Sequence, residues 1–276
     1  MSQIPRIIHQ IWFQGESNIP SHLQEYHQTW KTLNPEYQIK IWDQQSIENL
    51  INTQANDIKS SYHSYPLMIQ KIDFAKYIIL YVYGGIYIDM DVKCLKPIQG
   101  IIDSNKHKEA ILSICSYDAM HHLLLTAIGL QFNEDLINNG IIMCIPQSNV
   151  MKSILEECIQ SKDTWLKNLG KNFYYIFYTT GPVMMTKAIR KVNKNDLTIL
   201  NHQYFEACNM KDFHLQCDVP DYAIGLHIYE GSWVSPEEKQ MTQMYFFVRQ
   251  YLSILIAVLI FLVILSVFMY RKKLKF

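Results

Sequence analysis

The sequence predicts an α/β fold, a mostly parallel, Rossmann-like sheet flanked by helices, with one further apolar helix at the C-terminus. Three observations carry this expectation. Short β-prone runs alternate with amphipathic helical runs through the N-terminal part of the chain. The 276 residues, 49% of them hydrophobic, can bury one large core. The stretch IQKIDFAKYIILYVYGGIYIDMDVKCLKP, residues 69–97, reads as a helix, a double-glycine stop, a buried strand and two carboxylates where that strand runs out.

The elements follow in order. RIIHQIW, Arg6–Trp12, is a first strand between Pro5 and Gly15. Ser21–Leu33 is a helix with Ser21 placed to cap it and an apolar stripe of Leu23, Tyr26, Trp30 and Leu33. Asn34-Pro35 breaks that helix. Tyr37–Trp42 alternates as a second strand, and Asp43 caps a helix over Gln44–Ile51. In the next helix Ile72, Ala75, Ile79 and Val82 share one face, and Asp73, Lys76 and Tyr77 meet on another. Gly84 and Gly85 end it, because glycine accepts the positive φ of a helix C-terminus. The strand Ile86-Tyr87-Ile88 is apolar enough to be covered on both sides. Strand alternation then places Asp89 and Asp91 on one side and Met90 on the other.

Beyond Pro97 a polar loop is expected, then a strand over Ala110–Cys115. Asn138-Asn139-Gly140 leads into a strand-like run, Ile141–Ile145, and by residue type alone Asn139-Gly140 reads equally well as a turn. Helices are expected over Val150–Ser161 and from Pro182 to about Val192, separated by an aromatic-rich stretch, Lys171–Tyr178. Ala223–Tyr229 is the last strand.

Lys plus Arg and Asp plus Glu each number 25, so charge gives no reason to expect a nucleic-acid partner. The six cysteines form no CxxC pair, so a zinc site has no support and buried free thiols are expected, although Cys208 and Cys217 can bridge in an oxidising lumen. The N-terminus lacks the apolar core and cleavage site of a signal peptide. Tyr251–Tyr270 carries no charge and is about 30 Å long as a helix, the thickness of a bilayer core. Arg271, Lys272, Lys273 and Lys275 follow it. Two regions are therefore expected: residues 1–240 as the folded domain, and 241–276 as a membrane anchor with a single span at about 251–270 and a basic tail. The basic flank argues for a cytoplasmic tail, whereas a span at the chain end without a signal peptide argues for the reverse orientation.

Two carboxylates on one side repel unless a cation sits beside them. Mg2+ and Mn2+ take oxygen ligands, and ligands of open α/β sheets bind beyond the carboxyl ends of the strands. An Asp-x-Asp triplet alone is weak, since it arises by chance in roughly half of such chains; the apolar strand, glycine pair and Asp73-bearing helix before it supply the context. Those residues resemble the DXD sugar-binding region of glycosyltransferase family 32. That family reads approximately as Asp, two apolar residues, Arg, Tyr, an apolar run, Gly-Gly, apolar-Tyr-apolar, Asp-x-Asp. The run W…NP-x-Y…WD and the strand containing Ile8-His9-x-x-Trp12 are similar as well, so the likeness covers Ile4–Trp233. Two departures stand out: Lys76 replaces the usual Arg and lacks its bidentate fork, and Pro146-Gln147-Ser148 replaces the family's Gly-His-Pro.

The resemblance implies a GT-A-type, Mn2+-dependent (or Mg2+-dependent) glycosyltransferase that retains anomeric configuration. It implies Asp89 and Asp91 as catalytic residues and, with His227, as metal ligands. It places the donor nucleotide sugar against Trp12, Asp73, Lys76, Asp89, Asn139, Ser232 and Trp233. GDP-mannose is the donor it favours, with a lipid acceptor such as an inositol phosphoceramide, or a glycan, at a Golgi- or ER-type membrane. Without the likeness, Trp12 reads as core, His227 as a core histidine, and Thr180-Gly181-Pro182 as an ordinary helix start. His9 reads as structural. Two other classes remain: a haloacid-dehalogenase-like phosphatase with Asp89 as nucleophile, for which no later acidic motif is present, and a membrane-tethered sugar binder without turnover.

Overall fold

The computed structural model describes residues 3–116, 119–169, 173–208, 218–231, 234, 240, 244, 251, 256 and 258–264. The chain forms two units, Met1–Glu230 and Gly231–Phe276. In the first, the elements run β1 (Ile7–Ile11), α1 (Ser21–Leu33), β2 (Gln38–Trp42), α2 (Gln44–Asn52), α3 (Asn56–Ser64), α4 (Met68–Tyr83), β3 (Gly85–Ile88) and β4 (Val92–Cys94). They continue with α5 (Gln99–Ser104), β5 (Ala110–Ile114), α6 (Ala119–Thr126), β6 (Ile137–Cys144), α7 (Asn149–Ser161), α8 (Phe173–Thr179), α9 (Pro182–Ile189), β7 (Leu197–Leu200) and β8 (Gly225–His227).

The main sheet has the order β2-β1-β3-β6-β5-β7. β1 runs parallel to β2 and β3, and β5 parallel to β7, while β6 is antiparallel to both its neighbours. β4 and β8 form a separate antiparallel pair. This is a mixed α/β arrangement, parallel-dominated as expected. Alternate side chains of the sheet feed two cores. Ile8, Ile86, Ile88, Ile141 and Met143 pack on the side of Trp30 and Ile101. Tyr87, Leu112, Ile142 and Cys144 pack on the opposite side, against α2, α4, α7 and α9. Both faces are buried, so the strands read as continuous apolar runs.

The double glycine fixes how closely β3 approaches its neighbours. Gly84 has φ +62°, and a Cβ there would meet the Pro146 nitrogen at 2.5 Å; Gly85 has φ +94°, and its Cβ would meet the Ile7 carbonyl oxygen at 2.6 Å. Both contacts are with backbone, so only glycine fits. His9 completes the joint. Its Nε2–H donates to the Gly84 carbonyl at 3.0 Å, and its Nδ1 accepts from Trp42 Nε1 at 3.1 Å. Burial lowers its pKa to about 4. His9 is structural, as expected.

Several expectations change. Pro20, not Ser21, holds the N-cap of α1, without a side-chain bond, whereas Asp43 does cap α2 through Ser46. The segment after Pro97 contains α5 rather than a polar loop alone. β6 begins at Ile137, so Asn138-Asn139-Gly140 lies inside a strand and not in a turn. α8 occupies most of the aromatic-rich stretch, and α9 ends at Ile189. The last strand pairs with β4 and stays out of the main sheet, whose edge is β7 instead. β3 ends at Ile88, so Asp89 and Asp91 converge through a turn closed by Val92 N–H to Asp89 O at 3.2 Å, and not through strand alternation.

Cys94, Cys115, Cys144 and Cys158 are free thiols, while Cys208 is disulfide-bonded; Cys217 lies outside the described residues. In the second unit residues 258–264 are helical and exposed. Among the described residues no helix is long and apolar enough to cross a membrane. The expected span falls partly outside them, at residues 252–255, 257 and 265–270.

Candidate active site

Three side chains converge beyond the carboxyl end of β3. One ligand atom from each of Asp89, Asp91 and His227 lies within 4.8 Å of the other two. The turn after β3 supplies the carboxylates, and β8 supplies the imidazole, because Val92 pairs with His227 across the β4–β8 ladder. Ile228 N–H donates to the Asp91 carbonyl at 3.0 Å and locks that register.

Each group is held from behind. Asp89 N–H donates to the Gly140 carbonyl at 2.9 Å, and Asp89 Oδ1 accepts from the Tyr87 hydroxyl at 2.7 Å. Gly140 leaves room for that carboxylate, since a Cβ there would stand 2.6 Å from Asp89 Oδ2. Asp91 Oδ2 accepts from Glu230 N–H at 2.9 Å and faces His227 Nε2 at 3.3 Å. The His227 ring stacks on Tyr229 at 4.3 Å. Burial pushes the Asp89 carboxyl above the usual range, and the neighbouring Asp91 charge adds to this against the opposing Lys76. Burial also opposes the charge on Asp91, but His227 and the Glu230 amide outweigh it and hold that carboxyl low. For His227 burial is outweighed by Asp91 and Glu206, which hold the imidazole well above its ordinary range.

A second layer comes from α4. Lys76 is buried, with its ammonium 2.7 Å from Asp73 Oδ1 and 4.0 Å from Asp89 Oδ1. Burial opposes its charge, but Asp73 and Asp89 raise its pKa above the ordinary lysine value. Asp73 also accepts from Asn139 Nδ2 at 3.1 Å and from the Thr180 hydroxyl at 3.0 Å. The structure therefore brings Asp73, Lys76, Asp89, Asn139, Asp91 and His227 into one connected group. Trp12 packs on the cluster that contains Met90, the residue between the two aspartates, and its Nε1–H donates to the Asn18 carbonyl at 3.0 Å. Ser232 and Trp233 lie outside the described residues. An open cavity of about 450 Å3 lies at the same sheet edge, beyond β1 and β2, lined by Phe13, Gln14, Gly15, Asp43 and Glu48 among others.

Sequence reasoning missed Glu206. It is 3% exposed, and its carboxylate accepts from Ser116 N–H, Asn138 Nδ2 and His227 Nδ1. It stands alone in a connecting segment with no pattern around it, so no signal in the chain marks it.

Two carboxylate oxygens and an imidazole nitrogen could hold a divalent metal ion, and among the described residues no cysteine sulfur joins them. The mixed α/β fold, the DXD turn and this ligand set fit a glycosyltransferase, the class that the similar proteins identify. Residues 20–108 match the family model described as glycosyltransferase sugar-binding region containing DXD motif. An Acanthamoeba polyphaga mimivirus protein, an uncharacterized glycosyltransferase, is 30% identical over 213 residues, which span 75% of this chain and 74% of that protein. The chain belongs to this DXD-containing family of glycosyltransferases, family 32, and is a glycosyltransferase. Inositol phosphoceramide mannosyltransferase 1 of Schizosaccharomyces pombe is 36% identical over 105 residues, 37% of this chain and 32% of that protein. The initiation-specific alpha-1,6-mannosyltransferase of Saccharomyces cerevisiae is 32% identical over 48% of this chain and 32% of its own length. The chain thus spans about a third of each of these two yeast relatives. Among solved structures, mouse xyloside xylosyltransferase 1 aligns with a TM-score of 0.48 at 13% identity, over 83% of this chain and 99% of that one. The family assignment replaces the phosphatase reading.

Proposed function

We propose that the protein transfers a hexose from a nucleotide sugar, GDP-mannose first among the donors, to a membrane-associated acceptor such as an inositol phosphoceramide-like lipid or a glycan. The convergence of Asp89, Asp91 and His227 at the carboxyl edge of the sheet carries this reading. These three residues would hold Mn2+ or Mg2+. When bound, such an ion supplies Lewis-acid stabilisation to the departing nucleoside diphosphate. The chain's own groups do the remaining work. Lys76 sets a buried positive charge beside Asp89 and holds Asp73 in a close ion pair that opposes the upward push of burial on that carboxyl. Tyr87 and Gly140 fix the angle of the Asp89 carboxylate. Asn139, bonded to Asp73 from β6, is the proposed contact to the sugar. Trp12 and the cavity beyond β1 and β2 are the proposed seat of the nucleoside, and Ser232 and Trp233 are further proposed donor contacts on the family likeness alone.

Mannose as the sugar is supported by the names of the two yeast relatives. The membrane is supported by the uncharged run 251–270 and its basic flank, and an endomembrane of Golgi or ER type is the proposed location. The test is a donor panel of GDP-mannose, UDP-galactose and UDP-N-acetylglucosamine, with lipid and glycan acceptors and Mn2+. Transfer from GDP-mannose that stops in EDTA is expected. Binding of a nucleotide sugar without turnover on any acceptor would instead establish a sugar binder.

A further inference from the structure

A buried carboxylate that no motif marks stands directly behind the candidate metal site. Glu206 Oε1 lies 3.2 Å from His227 Nδ1 and 2.6 Å from Asn138 Nδ2, and its Oε2 lies 2.6 Å from the Ser116 amide nitrogen. All three partners are donors. Asn138 has no oxygen to spare, because its Oδ1 accepts from Gly140 N–H at 2.6 Å. An acceptor is therefore required at both ends of the side chain, and among the natural residues only a carboxylate supplies one. The backbone holds Glu206 in place, through an antiparallel bridge to Leu226 on β8 and a bond from His202 Nδ1 to the Glu206 carbonyl at 3.1 Å.

We propose that Glu206 is a positioning residue for the metal site: it takes the Nδ1–H of His227 and so turns Nε2 toward Asp89, Asp91 and the cation, which would displace the Nε2 proton that faces Asp91. Nε2 already faces that way, 3.3 Å from Asp91 Oδ2. A histidine that ligates a metal through one nitrogen commonly donates its other N–H to a carboxylate, which fixes the ring and its tautomer. The same carboxylate reaches the opposite side of the site. Through Asn138 it anchors Gly140, whose carbonyl receives the Asp89 amide and whose missing side chain leaves Asp89 its space. One buried residue thus ties the imidazole ligand to the strand that aims a carboxylate ligand. This inference rests on the divalent-cation reading of the site.

Mn2+ titration followed by electron paramagnetic resonance tests it on the full chain, comparing wild type with Glu206→Gln and Glu206→Ala. A rise in the Mn2+ dissociation constant of about 10–100-fold is expected in both, the usual effect of losing such a partner. The second readout needs no variant. In Mg2+-loaded wild type labelled with 15N-histidine, His227 is expected to carry its proton on Nδ1. A purely structural role for Glu206 would lower the melting temperature of the variants without moving Mn2+ affinity. Affinity retained within about twofold by folded variants, or a proton on Nε2 in Mg2+-loaded wild type, overturns the proposal. Absence of Mn2+ binding by wild type would overturn the metal reading itself, and the Glu206 role with it. If neither variant folds, the tautomer in wild type decides.

Discussion

Replacing Gly140 with alanine separates the metal site from the fold. Gly140 has an ordinary strand backbone in β6, so alanine meets no conformational penalty there and removes some unfolded-chain entropy. The added Cβ would stand 2.6 Å from Asp89 Oδ2, whereas ordinary contact begins at 3.4 Å. The carboxylate must therefore retreat by about 0.8 Å, while metal ligand distances tolerate about 0.2 Å. It can retreat, because it is the free end of a side chain; the cost falls on the cation and not on the sheet. The expected result for Gly140→Ala is a melting temperature at or above that of wild type, with Mn2+ affinity about 100-fold weaker, or about 3 kcal/mol. Calorimetric titration with Mn2+ beside a thermal melt measures both. Unchanged Mn2+ affinity in a folded variant would refute the claim that Asp89 Oδ2 is a ligand held in place by the absence of a side chain at Gly140.

Gly84→Ala and Gly85→Ala have the opposite signature. Each sets a Cβ against backbone of a neighbouring segment at positive φ, so each should destabilise the fold by at least about 3 kcal/mol, read from the urea midpoint. Lys76→Met leaves Asp73 buried without its cation and should cost about 3–5 kcal/mol in the same assay. For His9 the folded pKa of about 4 lies below the unfolded value of 6.5, so the unfolded chain takes up the proton first. Stability is complete above 6.5 and falls by about 3 kcal/mol as pH drops towards 4; His9→Gln should flatten urea midpoints over that window.

Much of this molecule was legible in the chain. The helix–glycine–strand–carboxylate stretch, β1, β2 and the helices α1, α2, α4 and α7 follow from local periodicity and turn chemistry, which act over a few residues. The antiparallel direction of β6, the short β4 and the edge strand β7 did not announce themselves, because pairing is set by connections far along the chain. Strand alternation put Asp89 and Asp91 together for a reason the structure replaces with a turn. His227 joined them only through family likeness, and its place is explained by the β4–β8 register. Asn139 looked like half of a turn, since Asn-Gly favours turns locally, yet the sheet overrides that preference and aims it at Asp73. Glu206 is invisible in the sequence because its role exists only where three distant segments meet.

The cation itself is the most direct object to observe. In crystals grown with Mn2+, anomalous diffraction should show one peak in contact with an oxygen of Asp89, an oxygen of Asp91 and Nε2 of His227, and that peak should vanish in Asp91→Asn. A structure with Mn2+ bound elsewhere, or with these three side chains in contact only with one another, would contradict the account.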